Sequence, residues 1–159
     1  NGVIHIIDQV ILPMSIYQLL EVNPTYATLT AALGIADGGL DALMSDPTSG
    51  PFTLFAPDEV AFGNLLTELN LADVPALVDA LGTDGLSGVL TYHVVSGNVN
   101  SDEVPSGSVQ TVNGQNISID LSNGVVITDT QNRMSTVTSV DIQGTNGVIH
   151  GINTVILPN

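Results

Sequence analysis

The apolar residues in the first half of the chain recur at helical spacing, whereas those in the second half form short runs or alternate with polar residues. Capping residues and apolar spacing predict short helices that begin at Ser15 (with Gln18 completing a capping box), Asn23, Asp37 and Asp58, and further helices at 74–81 and 84–91. The second helix is predicted to end at Gly34 and the third before Pro47.

The strands are predicted from apolar runs and turn signals. Residues 51–57 form a short apolar run bounded by prolines, which indicates a buried strand. Further strands are expected from Tyr92 to Gly97, within 109–129 around turns at Asn113-Gly114 and Asn123-Gly124, and at 134–142 and 147–157. Because a helical first part precedes a β-rich second part in a chain of one domain's length, the pattern predicts an α+β fold.

The first thirteen residues, NGVIHIIDQVILP, recur as NGVIHGINTVILP at 146–158, with identity at ten of the thirteen positions. Solenoid repeats have periods of about 20 to 50 residues, so an offset of 145 residues indicates whole domains in tandem. We therefore expect residues 1–13 to be the closing segment of a preceding copy and residues 14–159 to form one domain. The apolar side chains of 1–13 also predict self-association through that segment.

Charge narrows the classes of partner. The 159 residues include 16 acidic side chains and a single basic one, Arg133, which gives a formal net charge of −15. Nucleic-acid binding is excluded, because it depends on clustered Lys and Arg. The negative charge favours cations or basic partners instead. No apolar run reaches the ~20 residues that span a bilayer, so membrane insertion within this sequence is not expected.

Three motifs carry a resemblance to a known family. TLFAPDEVAF at 53–62, LTYHVVSG at 90–97 and NGVIHGINTVILP at 146–158 resemble, in order and spacing, the conserved blocks of the fasciclin (FAS1) domain. The first block departs slightly from the family pattern at Asp58-Glu59-Val60, although Asp58 can still cap a helix.

The resemblance implies a wedge of β-strands packed with several short helices. It also implies secretion or display on a cell surface, commonly in tandem, and adhesion to cells or matrix. The residues that it marks as the structural motif are Phe55, Ala56, Pro57, Asn146, Gly147 and His150.

Tyr92 and His93 are the candidate binding residues implied by the resemblance. Both lie where an apolar run, with Val89 and Leu90, meets the apolar pair Val94-Val95. Two interpretations follow: a partly buried pair that satisfies its hydrogen bonds inside the domain, or a contact with an integrin-like or matrix partner. His150 and its repeat equivalent His5 lie in apolar runs, which favours a structural role.

The sequence offers little for catalysis or cofactor binding. It has no cysteine, no G-x-S-x-G, no HExxH, no EF-hand loop and no phosphate-binding glycine loop. Adjacent acids such as Asp102-Glu103 do not share a helix face, so calcium binding by surface acids is the remaining metal hypothesis. We expect no enzymatic activity and no cofactor. Asn116 begins the only formal glycosylation triplet, Asn-Ile-Ser.

Three functions stay open at the level of sequence. The first is a non-enzymatic extracellular adhesion module whose partners are cell-surface or matrix proteins, polysaccharides and neighbouring FAS1 repeats. The second is a carrier of an apolar small molecule such as a lipid or pigment. The third is a structural spacer. Colour or added mass in the purified protein would indicate a carrier, and saturable binding would exclude a spacer.

Overall fold

The computed structural model describes residues 2–3, 12–122 and 124–159. Its helices are α1 (Ile16–Glu21), a 3-10 turn (Pro24–Tyr26), α2 (Ala27–Ile35), α3 (Leu40–Ser45), α4 (Glu59–Glu68) and α5 (Val74–Tyr92). Its strands are β1 (Phe52–Pro57), β2 (Val94–Ser96), β3 (Gly107–Gln110), β4 (Asn116–Asp120), β5 (Val126–Thr128), β6 (Met134–Gly144) and β7 (Gly147–Ile152). The predicted α+β class is confirmed.

The helix starts follow local capping chemistry. Ser15 and Gln18 form the predicted capping box, in which the Gln18 amide donates to Ser15 Oγ and the Ser15 amide donates to Gln18 Oε1. Asn23 caps the 3-10 turn, so the α-helical part of the second helix begins only at Ala27. The third helix begins at Leu40 rather than at Asp37. Its N-cap is Gly39 in the left-handed region, and Asp37 and Gly38 form a turn instead of the first residues of a helix.

The two helical stretches predicted at 74–81 and 84–91 join as α5. Gly82 separates them with a non-helical backbone, φ 73° and ψ 164°, so the helix is sharply kinked there. The second half continues through Tyr92, and His93 forms its C-cap. The prediction of a strand from Tyr92 was therefore wrong, since β2 begins only at Val94.

The last strand is shorter than predicted. β7 ends at Ile152 rather than near residue 157, because residues 153–159 bond largely to side chains outside the ladder. The turn predicted at Asn113-Gly114 connects β3 and β4, which pair antiparallel. Asn123 of the second predicted turn, and residues 1 and 4–11 of the repeated segment, lie outside the described residues.

All seven described strands form one sheet in the order β2-β1-β7-β6-β5-β4-β3. β7 lies between β1, which it pairs in parallel, and β6, which it pairs antiparallel. All six residues of β7 are buried, as expected for a strand covered on both faces.

Two hydrophobic clusters cover the opposite faces of this central part. The helical cluster packs α1 to α5 against Leu54 and Ile149, and the strand cluster joins Phe55 and Ile152 to β4 and β5. α1 belongs to the first cluster, with Ile16 fully buried. Alternate residues of β1 and β7 thus serve the two clusters.

Candidate functional site

Tyr92 lies at the junction of α5 with the β-rich half. The side chain is fully buried, and its hydroxyl makes two hydrogen bonds. The hydroxyl donates to the carbonyl of Asn116 at 3.0 Å and accepts from the amide of Thr130 at 3.3 Å. Burial raises the pKa of Tyr92 above its ordinary value. The side chain therefore connects the helix end to β4 and to the loop before β6.

His93 connects the same helix end to the segment after β7. Its Nδ1 lies 2.8 Å from the carbonyl of Val89, and its Nε2 accepts from the amide of Ile156 at 3.2 Å. These partners require a proton on Nδ1 and none on Nε2, which is the neutral imidazole. Burial lowers the pKa of His93 to about 4. The ring is thus a neutral link between α5 and residues 153–159.

Asp129 completes this connection, although it belongs to none of the three sequence motifs. Its Oδ1 accepts from the amides of Gln131 and Arg133, and its Oδ2 accepts from the amide of Leu157, each at 2.9 Å. The guanidinium of Arg133 pairs with Glu68 through two bonds of 2.8 and 2.9 Å. Arg133 Nε lies 4.0 Å from Asp129. The one sequence feature that could have indicated Asp129 is its position four residues before Arg133, the only basic side chain.

His150 fastens the loop after β2. Its Nε2 lies 2.9 Å from the carbonyl of Val99, its Nδ1 accepts from the amide of Asp141 at 3.4 Å, and its ring stacks on Phe55 at 5.8 Å between centroids. The carboxylate of Asp141 accepts from the amide and hydroxyl of Ser101 at 2.7 and 2.5 Å. These Ser101 bonds lower the pKa of Asp141.

Asn146 joins three segments at the start of β7. Its Oδ1 accepts from the amide of Ile16 at 2.9 Å, and its Nδ2 donates to the carbonyls of Met44 and Asp46 at 2.8 and 3.2 Å. Only 2% of its surface is exposed. Gly147 follows directly and opens the strand with φ 151°.

The remaining motif residues end β1. Ala56 is fully buried in the helical cluster, and Pro57 closes the strand. Asp58 then caps α4 by accepting from the amide of Ala61 at 2.8 Å, so the departure of this block from the family pattern leaves the cap in place.

The candidate residues therefore lie inside the domain, and they form three separate groups. Tyr92 and His93 meet Asp129 at the segment after β7, Phe55 and His150 meet at the loop after β2, and Asn146 precedes Gly147 at the start of β7. Tyr92 and His93 are at most 1% exposed, so neither is placed to touch a partner directly. No three His, Cys, Asp or Glu side chains converge as a metal site within the described residues. The arrangement of these buried side chains is suited to holding distant segments of the chain together.

An apolar cavity of about 200 Å³ lies beneath the loop after β2, lined by residues that include Phe55, Val95, Val104 and Ile119. A second apolar space of about 90 Å³ lies among α4, α5 and residues 155–157. Both are smaller than the roughly 300–1,000 Å³ of pockets that enclose drug-sized ligands.

Asn116, the first residue of the glycosylation triplet, is exposed at the start of β4.

We expect the neutral state of His93 to make stability depend on pH. Because the folded pKa, about 4, lies below the ordinary value of 6.5, protons bind the unfolded chain more readily between these values. This contribution to stability is complete above pH 6.5 and falls as the pH drops to 4, by roughly 3 kcal/mol in all. Denaturant titrations at several pH values, compared for wild type and His93→Gln, measure it.

The His93→Gln variant keeps a donor and an acceptor but does not titrate in this range. Its stability should change less between pH 6.5 and 4 than that of the wild type. Equal pH slopes for the two proteins would show that His93 is not held neutral in the folded domain.

A seven-stranded mixed sheet, short capped helices and buried Tyr-His and Asn-Gly motifs together define a domain of the FAS1 type. The chain belongs to the fasciclin domain family, whose profile matches residues 24–158. A FAS1 domain pair from the insect cell adhesion molecule fasciclin I has the same fold, with a TM-score of 0.69 and 15% identity. The alignment covers 91% of this chain and 51% of that one.

Sequence relatives come from bacteria and animals. Protein sll1483 of Synechocystis sp. is 37% identical over 145 residues, which cover 91% of this chain and 74% of that protein. The transforming growth factor-beta-induced protein ig-h3 of Sus scrofa is 32% identical over the whole chain, which spans 22% of that protein. Human periostin is also 32% identical, with 18% of its length covered.

Proposed function

We propose that this chain is a non-enzymatic, extracellular adhesion or binding module of a surface protein with FAS1 domains in tandem. The observation that carries the proposal is the inward placement of the motif side chains. Tyr92, His93 and His150 are buried and bonded to backbone groups, so they support the fold while the outer surface is left to meet partners. The relation to fasciclin I, a cell adhesion molecule, supports the same function.

The charge of the outer surface indicates the kind of partner. Among the residues that the structure describes, the exposed acids are Glu21, Asp37, Asp46, Glu59, Glu68, Asp73, Asp79, Asp84, Asp102, Glu103, Asp120 and Asp141. The only cation outside the histidines, Arg133, is paired with Glu68. Such a surface favours basic regions of a matrix or cell-surface protein, or a polysaccharide bridged by cations. Repetition of the domain would strengthen weak single contacts.

The two alternatives are less well supported. A lipid or pigment would not fit within a cavity of about 200 Å³. A structural spacer would show no saturable binding, so the binding test below also examines this alternative.

Membrane crossing is a separate question. In the described part of the chain, no helix has the length and apolar character needed to cross a bilayer.

We expect the domain, presented in several copies on a surface, to bind matrix proteins or polysaccharides saturably and less tightly as salt rises. Screening of the exposed carboxylates is the reason, with a Debye length near 10 Å at 0.1 M salt. Biosensor titrations of a panel of such partners at several salt concentrations measure this. The double variant Asp102→Asn with Glu103→Gln removes two exposed charges and tests their part in the contact.

A folded His93→Gln variant is the matched control, since the proposal places the contact outside the buried motif. It should bind as the wild type does. Loss of binding in this variant with the fold retained would indicate that the Tyr92-His93 pair takes part in binding the partner. Absence of binding to every partner at all salt concentrations would support the spacer.

A further inference from the structure

The place that β7 occupies between β1 and β6 makes strict demands on sequence. Asn146 must supply one acceptor and two donors to the backbone groups of three residues. A Cβ on Gly147 would lie 1.9 Å from the carbonyl oxygen of Phe52, so glycine is required there. The repeated segment at 1–13 meets both demands, since it begins Asn1-Gly2.

A third demand lies at Gly151. A Cβ on this residue would lie 2.6 Å from the hydroxyl oxygen of Tyr26 and 3.2 Å from the Cβ of Ser139, its partner on β6. Tyr26 is only 3% exposed and packs in the helical cluster. The phenol end can yield slightly to a methyl group, but a branched side chain requires the ring to leave its place in the core.

The repeated segment fails this third demand. At the offset of 145 residues, Ile6 corresponds to Gly151. The other two differences are Asp8 for Asn153 and Gln9 for Thr154. Asn153 uses its Oδ1 to accept from the amide of Thr136 at 2.9 Å, and a carboxylate can accept in the same way. Both Asn153 and Thr154 have exposed or half-buried surfaces that tolerate polar exchange.

We propose that Tyr26 and Gly151 form a selectivity pair that excludes the 1–13 sequence from this domain's own central strand position, and that this sequence is the closing strand of a FAS1 domain whose residue equivalent to Tyr26 is small. The partner is thus a domain of the same fold with space above its last strand. The assignment of 1–13 to another domain rests on the proposed tandem array. The exclusion itself rests on the Tyr26 and Gly151 contacts.

The first test uses small changes in the full chain. Gly151→Ala is expected to lower the melting temperature by roughly 3–10 °C, because its methyl group crowds the phenol. Tyr26→Phe removes the nearest atom while keeping the ring. The loss caused by Gly151→Ala should therefore be at least halved in the Tyr26→Phe background. Equal losses in both backgrounds would overturn the pairing.

The second test places the N-terminal sequence in the position of β7. The exchange Gly151→Ile with Asn153→Asp and Thr154→Gln converts residues 146–158 into the 1–13 sequence. In the Tyr26 background we expect loss of the cooperative unfolding transition. Adding Tyr26→Ala should restore a cooperative transition with a midpoint near that of Tyr26→Ala alone.

The control exchange, Asn153→Asp with Thr154→Gln, keeps Gly151 and should unfold at the wild-type midpoint. An exchange variant that folds equally well with Tyr26 present would overturn the proposal, as would a destabilised control exchange. If Tyr26→Ala itself does not fold, the first test alone decides the proposal. That test compares the effect of Gly151→Ala in the wild-type and Tyr26→Phe backgrounds. These experiments measure the stability of the domain and do not depend on a binding partner. If no partner were bound in the biosensor titrations, the proposed function would be refuted but these results would stand.

Discussion

Replacing Gly147 with alanine is expected to prevent the domain from folding. The added Cβ would lie 1.9 Å from the carbonyl oxygen of Phe52 and 2.8 Å from the Cδ1 of Ile16. The first of these atoms belongs to the backbone of β1, so it cannot move without breaking the parallel pairing of β1 with β7. The φ of 151° is a further obstacle, because side chains rarely adopt it.

The expected loss exceeds about 4 kcal/mol, which is comparable to the whole stability of many domains. Circular dichroism and denaturant titration at neutral pH measure it. Gly63→Ala is the matched control: Gly63 lies within α4, and a Cβ there meets nothing within 4 Å. This control should be more stable than wild type by about 0.5–1 kcal/mol. A folded Gly147→Ala protein of wild-type stability would contradict the described start of β7.

Replacing Asn146 with aspartate is also expected to destabilise the domain strongly. The side chains have nearly the same shape, but the carboxylate has no donor for the carbonyls of Met44 and Asp46. It would place a buried charge against two acceptor oxygens, with only the amide of Ile16 as a donor. We expect a loss of about 3 kcal/mol or more at pH 7.

The pH dependence of this variant gives a second check. Burial among acceptors raises the pKa of a carboxyl group, and the protonated form can donate one hydrogen bond. The deficit should therefore shrink as the pH falls through that raised pKa. Asn64→Asp introduces the same charge at an exposed position of α4 and should have little effect. If the two variants were equally stable at pH 7, the bonds of Asn146 to Met44 and Asp46 would contribute little to the stability of the domain.

Local chemistry made much of the fold predictable. The caps at Ser15 and Asp58 and the buried strand at β1 depend on neighbours in sequence, and the structure confirms them. The Tyr92 boundary was misjudged because the apolar run through Val94 and Val95 has no break at the helix end. The helix continues through Tyr92, whose hydroxyl bonds to Asn116 and Thr130, and both of these are distant in sequence.

The candidate site was predictable as a set of residues but not as an arrangement. The motifs named Tyr92 and His93, yet nothing in their spacing shows that His93 binds the amide of Ile156, 63 residues away. Asp129 was missed for the same reason, since its role depends on the amide of Leu157 across the fold. Burial and long-range pairing decide such roles, and one sequence carries little information about either.

The central position of β7 has a consequence for how the domain is made on the ribosome. β1 pairs in parallel with a strand that follows it by almost 100 residues: Phe52 meets Gly147, and Pro57 meets Ile152. At about 5–20 residues per second, translation leaves β1 without this neighbour for roughly 5–20 s. Throughout that interval the nascent chain presents an apolar, unpaired strand edge, which is the kind of surface that chaperones protect. The sheet can be completed only after its last strand has been synthesised.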